Sequence, residues 1–256
     1  MNTNRFFNAP IEDEGTPESE WATADLAFPE FSLEGCERLV VVAAHPDDEV
    51  LGVGGLAAIA VAQGIDVQVI IVTDGQSSHP DSPTLRPDQV AVRRRAESIK
   101  ANAVLGLGVP VHLGFVDGEV AGHEDDVAEA LRAYVTGGWC LVTWSGDGHP
   151  DHEATARAAR KTCAVQSVQL LEYPVWMWHW AKPADPEVPW GKARRVELPP
   201  SVESAKKRAT AEFVTQIEPL SADPADAIVL PPFVLDRLLR TFEIVFAADS
   251  GTAAAP

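Results

Sequence analysis

The sequence predicts an α/β fold in which a mostly parallel sheet carries helices on both faces. Short apolar runs rich in β-branched residues alternate along the chain with longer segments whose apolar residues recur every three or four positions. The apolar runs also lack polar alternation, which is typical of parallel strands buried on both faces. Strands that alternate with helices are joined by right-handed crossovers, and these crossovers place helices on both sides of the sheet.

The individual elements are predicted from the same two patterns. Five apolar runs are predicted to be strands, at residues 39–44, 67–72, 109–113, 140–144 and 168–173. Four segments between them are predicted to be helices, at residues 54–63, 90–105, 125–135 and 152–165. Beyond residue 176 the pattern is less regular, and we predict helices at 202–215 and 233–241 and a last strand at 242–246.

The length and composition predict one domain with two irregular ends. A chain of 256 residues with 46% hydrophobic residues can form one large core, which we expect to span residues 37–249. Residues 1–36 are rich in Pro, Glu, Asp and Ser with scattered aromatics, and we expect an irregular arm that docks those aromatics on the core. Residues 250–256 are expected to be a disordered tail.

Charge and cysteine usage exclude several classes of partner. The formal net charge of −18 disfavours nucleic acid, because proteins that bind phosphate backbones normally carry the opposite sign. The three cysteines show no C-x-x-C spacing, so we expect neither a disulfide framework nor a thiolate metal site, and a reducing cytoplasm fits best. No secretion signal and no run of 18 apolar residues is recognised, so no membrane span is expected.

Two related motifs follow two of the predicted strands. The sequence HPDDE at residues 45–49 follows the first strand directly, and HPDH at residues 149–152 follows the fourth after a short Ser-Gly-Asp-Gly loop. In parallel sheets ligands bind beyond the carboxyl ends of the strands. Imidazole and carboxylate groups are the ligands of borderline metals such as zinc, and a catalytic site keeps one position for water. The two motifs therefore predict a catalytic metal site and a hydrolase.

The spacing suggests which residues share the metal. A proline after each histidine suits the first turn of a helix, so the residue three places on turns back toward the same point. His45 with Asp48, and His149 with His152, are thus candidate ligand pairs. Two histidines and one carboxylate on the metal leave one histidine over, and spacing alone does not decide which histidine of the second motif that is.

The residues of the two motifs that are not needed as metal ligands are candidates for the catalytic acid and base. Asp47 lies beside the metal and can accept a proton from the attacking water. A second histidine, kept cationic by a neighbouring carboxylate, can stabilise the developing oxyanion and protonate the departing amine. Asp151, adjacent in sequence to both histidines of its motif, is the expected carboxylate partner.

A competing pattern overlaps the first motif. Residues 52–57 (GVGGLA) satisfy G-x-G-x-x-(G/A), and Asp74 lies about twenty residues further on, as in a dinucleotide-binding oxidoreductase. Three carboxylates at residues 47–49 would face the pyrophosphate, so we disfavour this alternative on electrostatic grounds. The glycines are expected to allow close packing of a helix on the sheet.

The ordered series of motifs resembles a known family, the LmbE-like or PIG-L family of N-deacetylases. The resemblance covers roughly residues 39–163 and is carried by Ala44 to Glu49 with Gly54-Gly55, Thr73-x-Gly75, Arg94-x-x-Glu97 with Leu105-Gly106, Leu113-Gly114, Asp117-Gly118 and His149 to His152. It implies a Rossmann-like three-layer fold and metal-dependent removal of the acetyl group from an N-acetylglucosaminyl group of a small molecule or glycoconjugate. An amidase that cleaves a different acyl or a thiol-conjugate amide with the same residues is the alternative.

The resemblance also implies roles for individual residues. It assigns the metal, zinc or ferrous iron, to His45, Asp48 and His152, the general base to Asp47 and transition-state stabilisation to His149. Arg94 and Asp117 match positions that contact substrate hydroxyls in sugar-cleaving relatives.

Two departures from the family pattern bear on the substrate. This chain has Gln76-Ser77-Ser78 where many relatives have an acidic residue and a glycine, and Asp147 where relatives of the mycothiol pathway have a tyrosine. Both positions are expected near the substrate, so thiol-precursor substrates are disfavoured. The aromatic segment at residues 171–180 is expected to form either core or a platform for a sugar face.

Overall fold

The computed structural model of the protein describes residues 13–247. Its strands are β1 (Arg38–Ala43), β2 (Asp66–Thr73), β3 (Val111–Phe115), β4 (Trp139–Thr143), β5 (Gln169–Tyr173), β6 (Ala193–Glu197) and β7 (Phe242–Ala247). Its α-helices are α1 (Glu18–Ala22), α2 (Asp48–Ala62), α3 (Pro87–Val104), α4 (Glu124–Leu131), α5 (Pro150–Gln166), α6 (Met177–Trp180), α7 (Pro200–Thr210), α8 (Val214–Ile217) and α9 (Pro232–Leu238). The first twelve residues of the expected arm and the expected tail lie outside the described residues.

The seven strands form one mostly parallel sheet in the order β3-β2-β1-β4-β5-β7-β6. The first five strands are parallel, and β7 pairs antiparallel with both β5 and β6. The chain builds outward from β1 through β2 to β3 and then returns to the other side of β1 as β4. The ends of β1 and β4 therefore meet at the topological switch point, where ligands bind in such sheets.

Helices cover both faces of the sheet, as the sequence predicts. Alternate residues of β1 enter two separate cores: Leu39 packs in one core with Leu56 of α2, and Val40 packs in the other with Ala156 of α5. The residues of β1 from Leu39 onward are fully buried, which explains the unbroken apolar run in the sequence. The α/β class with a mostly parallel sheet is thus confirmed.

Several element boundaries differ from the prediction. Helix α2 begins at Asp48, six residues before the expected start, and it contains a kink at Val53 with φ −143° and ψ 20°. The helix expected over 202–215 ends at Thr210, and a separate short helix, α8, follows. Strand β6 was not predicted, because its sequence ARRVE carries three charged residues. Such charges suit its position at the edge of the sheet.

Residues 13–36 run along the outside of the core. Their regular structure is one short helix, α1, whose Trp21 is 1% exposed and packs edge-on against Trp178 at 5.0 Å between ring centroids. Phe28 stacks on Trp190 at 5.6 Å. Part of the aromatic segment 171–180 is therefore core. Within the described residues, no helix is long and apolar enough to span a bilayer.

Candidate active site

The first motif forms a tight loop between β1 and α2. Asp47 has φ 132° and ψ −31°, a strained conformation for a residue with a side chain. Two carboxylates hold the loop: Asp48 Oδ2 accepts the N–H of His45 at 2.8 Å, and Glu49 Oε2 accepts the N–H of Asp47 at 3.0 Å. Asn102 donates to the other oxygen of Glu49 at 2.9 Å. Glu49 therefore fixes the loop that presents Asp47 and Asp48.

The second motif opens helix α5 next to the first. His149 is the N-cap of this helix, and its Nδ1 accepts the N–H of Asp151 at 3.2 Å. His152, in the first turn, is fully buried. The ring centroid of His149 lies 4.8 Å from those of both His45 and His152. The two motifs, a hundred residues apart in sequence, thus bring three imidazoles together.

Three donor atoms of the two loops form a nearly equilateral triangle. His45 Nδ1 lies 3.3 Å from His152 Nε2, and Asp48 Oδ2 lies 3.4 Å from His45 Nδ1 and 3.2 Å from His152 Nε2. Tetrahedral ligands at the usual zinc distance of about 2.05 Å lie about 3.3 Å apart. The triangle therefore fits a single tetrahedral cation with a fourth position left for water.

Both imidazoles of the triangle are oriented by carboxylates on their outer nitrogens. His45 Nε2 lies 3.0 Å from Asp117 Oδ1 and 3.4 Å from Asp151 Oδ2. His152 Nδ1 lies 2.8 Å from Asp147 Oδ2. Each ring can donate its outer N–H to a carboxylate and direct the lone pair of its inner nitrogen into the triangle, as metal-ligating histidines do.

The same carboxylates favour positive charge at this place. Burial lowers the pKa of His152, but Asp48 and Asp147 outweigh burial and raise that pKa to about 9. Burial likewise lowers the pKa of His45, yet Asp117, Asp151 and Asp48 hold it well above 6.5. A cluster that attracts protons in this way also attracts a divalent cation, which displaces them on binding.

Asp147 lies close to the site, as expected, but its role there differs from the expected contact with substrate. Its carboxylate is fully buried, and besides His152 it accepts the backbone N–H groups of Val175, Trp176 and Met177 at 2.9 Å, 2.9 Å and 3.0 Å. It does not line the cavity described below, so its difference from the tyrosine of relatives does not bear directly on substrate contact. Its position two residues before the second motif indicates a role in the site, but the spacing does not show that it contacts His152.

Asp151 and His149 also differ from the expected arrangement. The Asp151 carboxylate accepts the N–H of Gly118 at 2.6 Å and lies near His45, the histidine of the other motif. The pKa of His149 lies well below its ordinary value, because burial and the neighbouring charges of His152 and His45 disfavour a proton. A neutral His149 whose Nδ1 accepts a backbone N–H carries its proton on Nε2.

Asp47 and Arg94 form a buried pair beside the triangle. Arg94 Nη2 lies 2.9 Å from Asp47 Oδ2 and also donates to the carbonyl oxygen of Pro46 at 2.6 Å. Burial raises the pKa of Asp47 to about 7, although the Arg94 guanidinium opposes this shift. A carboxylate whose pKa lies near neutrality is suited to accept a proton and release it again.

Asp117 lies between the triangle and the loop after β2. Its Oδ1 contacts His45, and its Oδ2 accepts the N–H of Ser77 at 2.8 Å. Asp117 and Arg94 both line the cavity, which is compatible with their expected contact with substrate hydroxyls. That contact stays a prediction. The structure adds a role that spacing did not reveal, the orientation of His45 by Asp117.

A cavity of about 350 Å³ opens onto the triangle. Its polar lining comprises His45, Asp47, Asp48, Ser77, Ser78, Arg94, Asp117, His149 and Gln216. Within the aromatic segment, Trp176 lines this cavity whereas Trp178 packs on Trp21 in the core. The core interpretation is thus confirmed for Trp178, whereas a platform for a sugar face stays a prediction.

The glycine-rich pattern has a different explanation from dinucleotide binding. The second half of α2 starts after the kink at Val53, and the N–H groups of Gly55 and Leu56 donate to the carboxylate of Glu243 at 2.8 Å each. Lys206 neutralises this buried carboxylate at 2.7 Å. The helix N-terminus that would bind a pyrophosphate is occupied by a side chain of the protein, so the oxidoreductase alternative is not favoured.

Comparison with known proteins identifies a matching family and similar sequences. Residues 40–163 match the family described as PIG-L: GlcNAc-PI de-N-acetylase. The chain is 31% identical over 194 residues to a 1D-myo-inositol 2-acetamido-2-deoxy-alpha-D-glucopyranoside deacetylase of Mycolicibacterium gilvum (strain PYR-GCK), covering 63% of this chain and 65% of that protein. A protein of the same name from Nakamurella multipartita is 35% identical over 147 residues, covering 53% of this chain and 47% of the relative.

The solved structures that resemble this chain share its fold. N,N'-diacetylchitobiose deacetylase from Pyrococcus horikoshii superposes with a TM-score of 0.59 at 19% identity and 73% coverage of both chains. The zinc-inhibited form of a teicoplanin deacetylase gives 0.61 at 21% identity, covering 83% of this chain and 99% of that chain. Fold and motifs together define a Rossmann-like α/β protein with a histidine–carboxylate centre. Over residues 40–163 the chain is similar to the PIG-L, or LmbE-like, family.

Proposed function

We propose that this protein is a metal-dependent N-deacetylase that removes the acetyl group from an N-acetylglucosaminyl moiety of a small molecule or glycoconjugate. The observation that carries the proposal is the triangle of His45, Asp48 and His152, with Asp47 and His149 beside it on the same cavity. The curated relatives are named as deacetylases of an acetamido sugar. The chain spans 65% and 47% of those two relatives, so their activity is transferred here as a proposal.

The donor set supports zinc as the metal. Two imidazole nitrogens and one carboxylate oxygen are typical ligands of catalytic zinc, and ferrous iron uses the same combination. A divalent ion bound there supplies Lewis acidity, which polarises the amide carbonyl and lowers the pKa of a water. The three free, buried cysteines support a reducing compartment such as the cytoplasm for this enzyme.

The remaining residues perform the proton transfers of amide hydrolysis. Asp47 accepts a proton from the attacking water, and the new C–O bond forms as the water oxygen adds to the carbonyl carbon. His149 donates a hydrogen bond from Nε2 to the carbonyl oxygen as negative charge develops there. The C–N bond then breaks and the amine nitrogen takes the proton held by Asp47, which leaves acetate and a free amino sugar.

The proposal is tested by acetate release from N-acetylglucosamine, N-acetylglucosaminyl disaccharides and glycosylated natural products. We expect hydrolysis of at least one substrate, loss of activity with a chelator, and recovery when zinc or ferrous iron is restored. The same assay with His152→Ala should show neither activity nor bound metal. Activity that persists in the chelator, with no metal found by elemental analysis, would contradict the proposal.

A further inference from the structure

The cavity next to the proposed metal centre has a second, apolar part. Six side chains form it, and we call them the apolar wall: Leu51, Val175, Trp176, Val229, Leu230 and Leu238. Leu51 lies one helical turn after Asp48, so the wall begins beside the triangle. The other five residues lie beyond residues 40–163, the segment that matches the family. The wall is thus contributed mainly by the last third of this chain.

The wall offers few polar groups to a ligand. The N–H groups of Val175 and Trp176 both donate to Asp147 at 2.9 Å. Those of Val229 and Leu230 donate to the carbonyl oxygen of Gln216 at 3.1 Å and 2.8 Å. A sugar hydroxyl placed against these residues would leave water without gaining any of these four donors, which is unfavourable.

The wall is held in place by buried polar contacts behind it. Glu97 of α3 accepts the N–H of Thr215 at 2.9 Å and its hydroxyl at 2.7 Å. The adjacent Gln216 then holds Val229 and Leu230 through its carbonyl oxygen. Asp226 has no exposed surface and accepts the hydroxyls of Ser82, Thr84 and Ser221. These anchors fix the segment before a ligand arrives, so the apolar surface is preformed.

We propose that the apolar wall is a binding subsite for an apolar group of several carbon atoms carried by the amide substrate. The proposal rests on the proposed function, because it places the scissile amide at the triangle. The apolar group has two chemical sources, an acyl chain longer than acetyl on the amine nitrogen, or an alkyl or aryl aglycone on the sugar. Either source buries carbon against the wall while the sugar keeps the polar lining.

Two substrate series distinguish the sources. One series is glucosamine N-acylated with acetyl through octanoyl, and the other is N-acetylglucosamine with methyl through octyl aglycones. In the series that uses the wall, we expect kcat/KM to rise about fourfold for each buried methylene until the subsite is full. A flat or falling dependence in both series, with hydrolysis intact, would overturn the subsite and leave the proposed function standing.

Binding measured by calorimetry separates the subsite from the chemistry. Glucosamine with a methyl or octyl aglycone lacks the scissile amide, so its affinity tests the aglycone alone; this is the aglycone arm. In the acyl arm, the affinity of Asp47→Asn enzyme is measured for the intact N-acyl series. Affinity that grows with chain length in either arm would support the subsite, even if no substrate were hydrolysed. The absence of hydrolysis would instead refute the proposed function. Affinity independent of chain length in both arms would overturn the subsite.

A matched pair of variants assigns the effect to the wall. Val229→Thr places a hydroxyl on the wall, and Val214→Thr makes the same change on the same segment at a residue that is 46% exposed and outside the cavity lining. We expect Val229→Thr to weaken the longest member of the responsive series about tenfold and the shortest less than twofold. Equal losses for both members, or equal losses in Val214→Thr, would contradict the assignment. Thermal unfolding of each variant checks that it is folded.

Discussion

At the scale of single residues, the site depends on carboxylates that differ in environment and therefore in task. Asp48 contributes to the triangle, Asp117 and Asp147 orient histidines, and Asp47 stands free of the triangle with a pKa of about 7. The strained backbone of Asp47 is held by Glu49. Strain that is retained in a buried loop is typical of functional sites.

The role of Asp47 predicts a separation between chemistry and metal binding. Asp47→Asn keeps the size of the side chain but cannot accept the proton of water. We expect kcat to fall by about two to four orders of magnitude, the usual scale for general-base catalysis, while metal content by elemental analysis stays unchanged. Asp126→Asn, with a side chain that is 74% exposed, is the control and should behave as the parent. Near-parental turnover of Asp47→Asn would remove Asp47 from this role.

The contacts of Asp147 predict a loss of metal affinity without loss of a ligand. In Asp147→Asn one end of the side chain becomes an NH2 donor, so either His152 or the turn at Val175 loses its acceptor. We expect the Kd for zinc to rise about 10- to 100-fold, as for other carboxylates behind a metal-bound histidine. Competition with a fluorescent chelator measures this. An unchanged Kd would show that His152 needs no carboxylate.

At the scale of elements, the second half of α2 depends on a carboxylate from a distant strand. Glu243 of β7 accepts the N–H groups of Gly55 and Leu56 from 188 and 187 residues away, and Lys206 of α7 balances its charge. Both charged side chains are nearly fully buried. A buried pair of this kind is costly to break from one side only.

Removing the charge of Glu243 should therefore destabilise the whole fold. Glu243→Gln leaves Lys206 buried without its partner, and we expect the free energy of unfolding to fall by about 3–5 kcal/mol. Urea denaturation measures the change. Glu197→Gln, in the neighbouring strand with a side chain 60% exposed, should change the stability by less than about 1 kcal/mol. Equal effects of the two substitutions would contradict the role given to Glu243.

A second element-scale prediction concerns pH. Burial alone raises the pKa of Asp74, but its hydrogen bonds to His112 of β3 and Arg95 of α3 outweigh burial and lower that pKa below 3.8. The stability from this depressed pKa is present above the unfolded value and is lost as the pH falls through the folded value. Asp74→Asn should be destabilised by about 2 kcal/mol at pH 7, and the difference should close below pH 3.8. A pH-independent difference in urea titrations would contradict this account.

The elements were predictable where the sequence pattern is local. The five parallel strands are predicted to within two residues, because burial on both faces demands continuous apolar runs. The start of α2 is not predicted, because its first six residues carry the acidic motif and Gly52 and are separated from the predicted part by the kink at Val53. Strand β6 is missed because edge strands tolerate charge.

At the scale of the whole molecule, the strand order explains why two distant motifs meet. Strands β2 and β3 are added on one side of β1 and β4 on the other, so the loops after the parallel strands β1 and β4 are neighbours at one edge of the sheet. This convergence was predictable from the sequence, because each motif directly follows or closely follows a strand. The apolar wall was not, because its residues come from four separate points of the chain and carry no shared spacing.

The central claim is that one divalent cation binds between the two loops, and an anomalous-difference map of zinc-soaked crystals at the zinc edge tests it most directly. We expect one strong peak within bonding distance, about 2.0–2.2 Å, of His45 Nδ1, Asp48 Oδ2 and His152 Nε2. Data collected below the edge provide the control for zinc. A triangle without a peak at saturating zinc, or a peak bound only by other residues, would contradict the account.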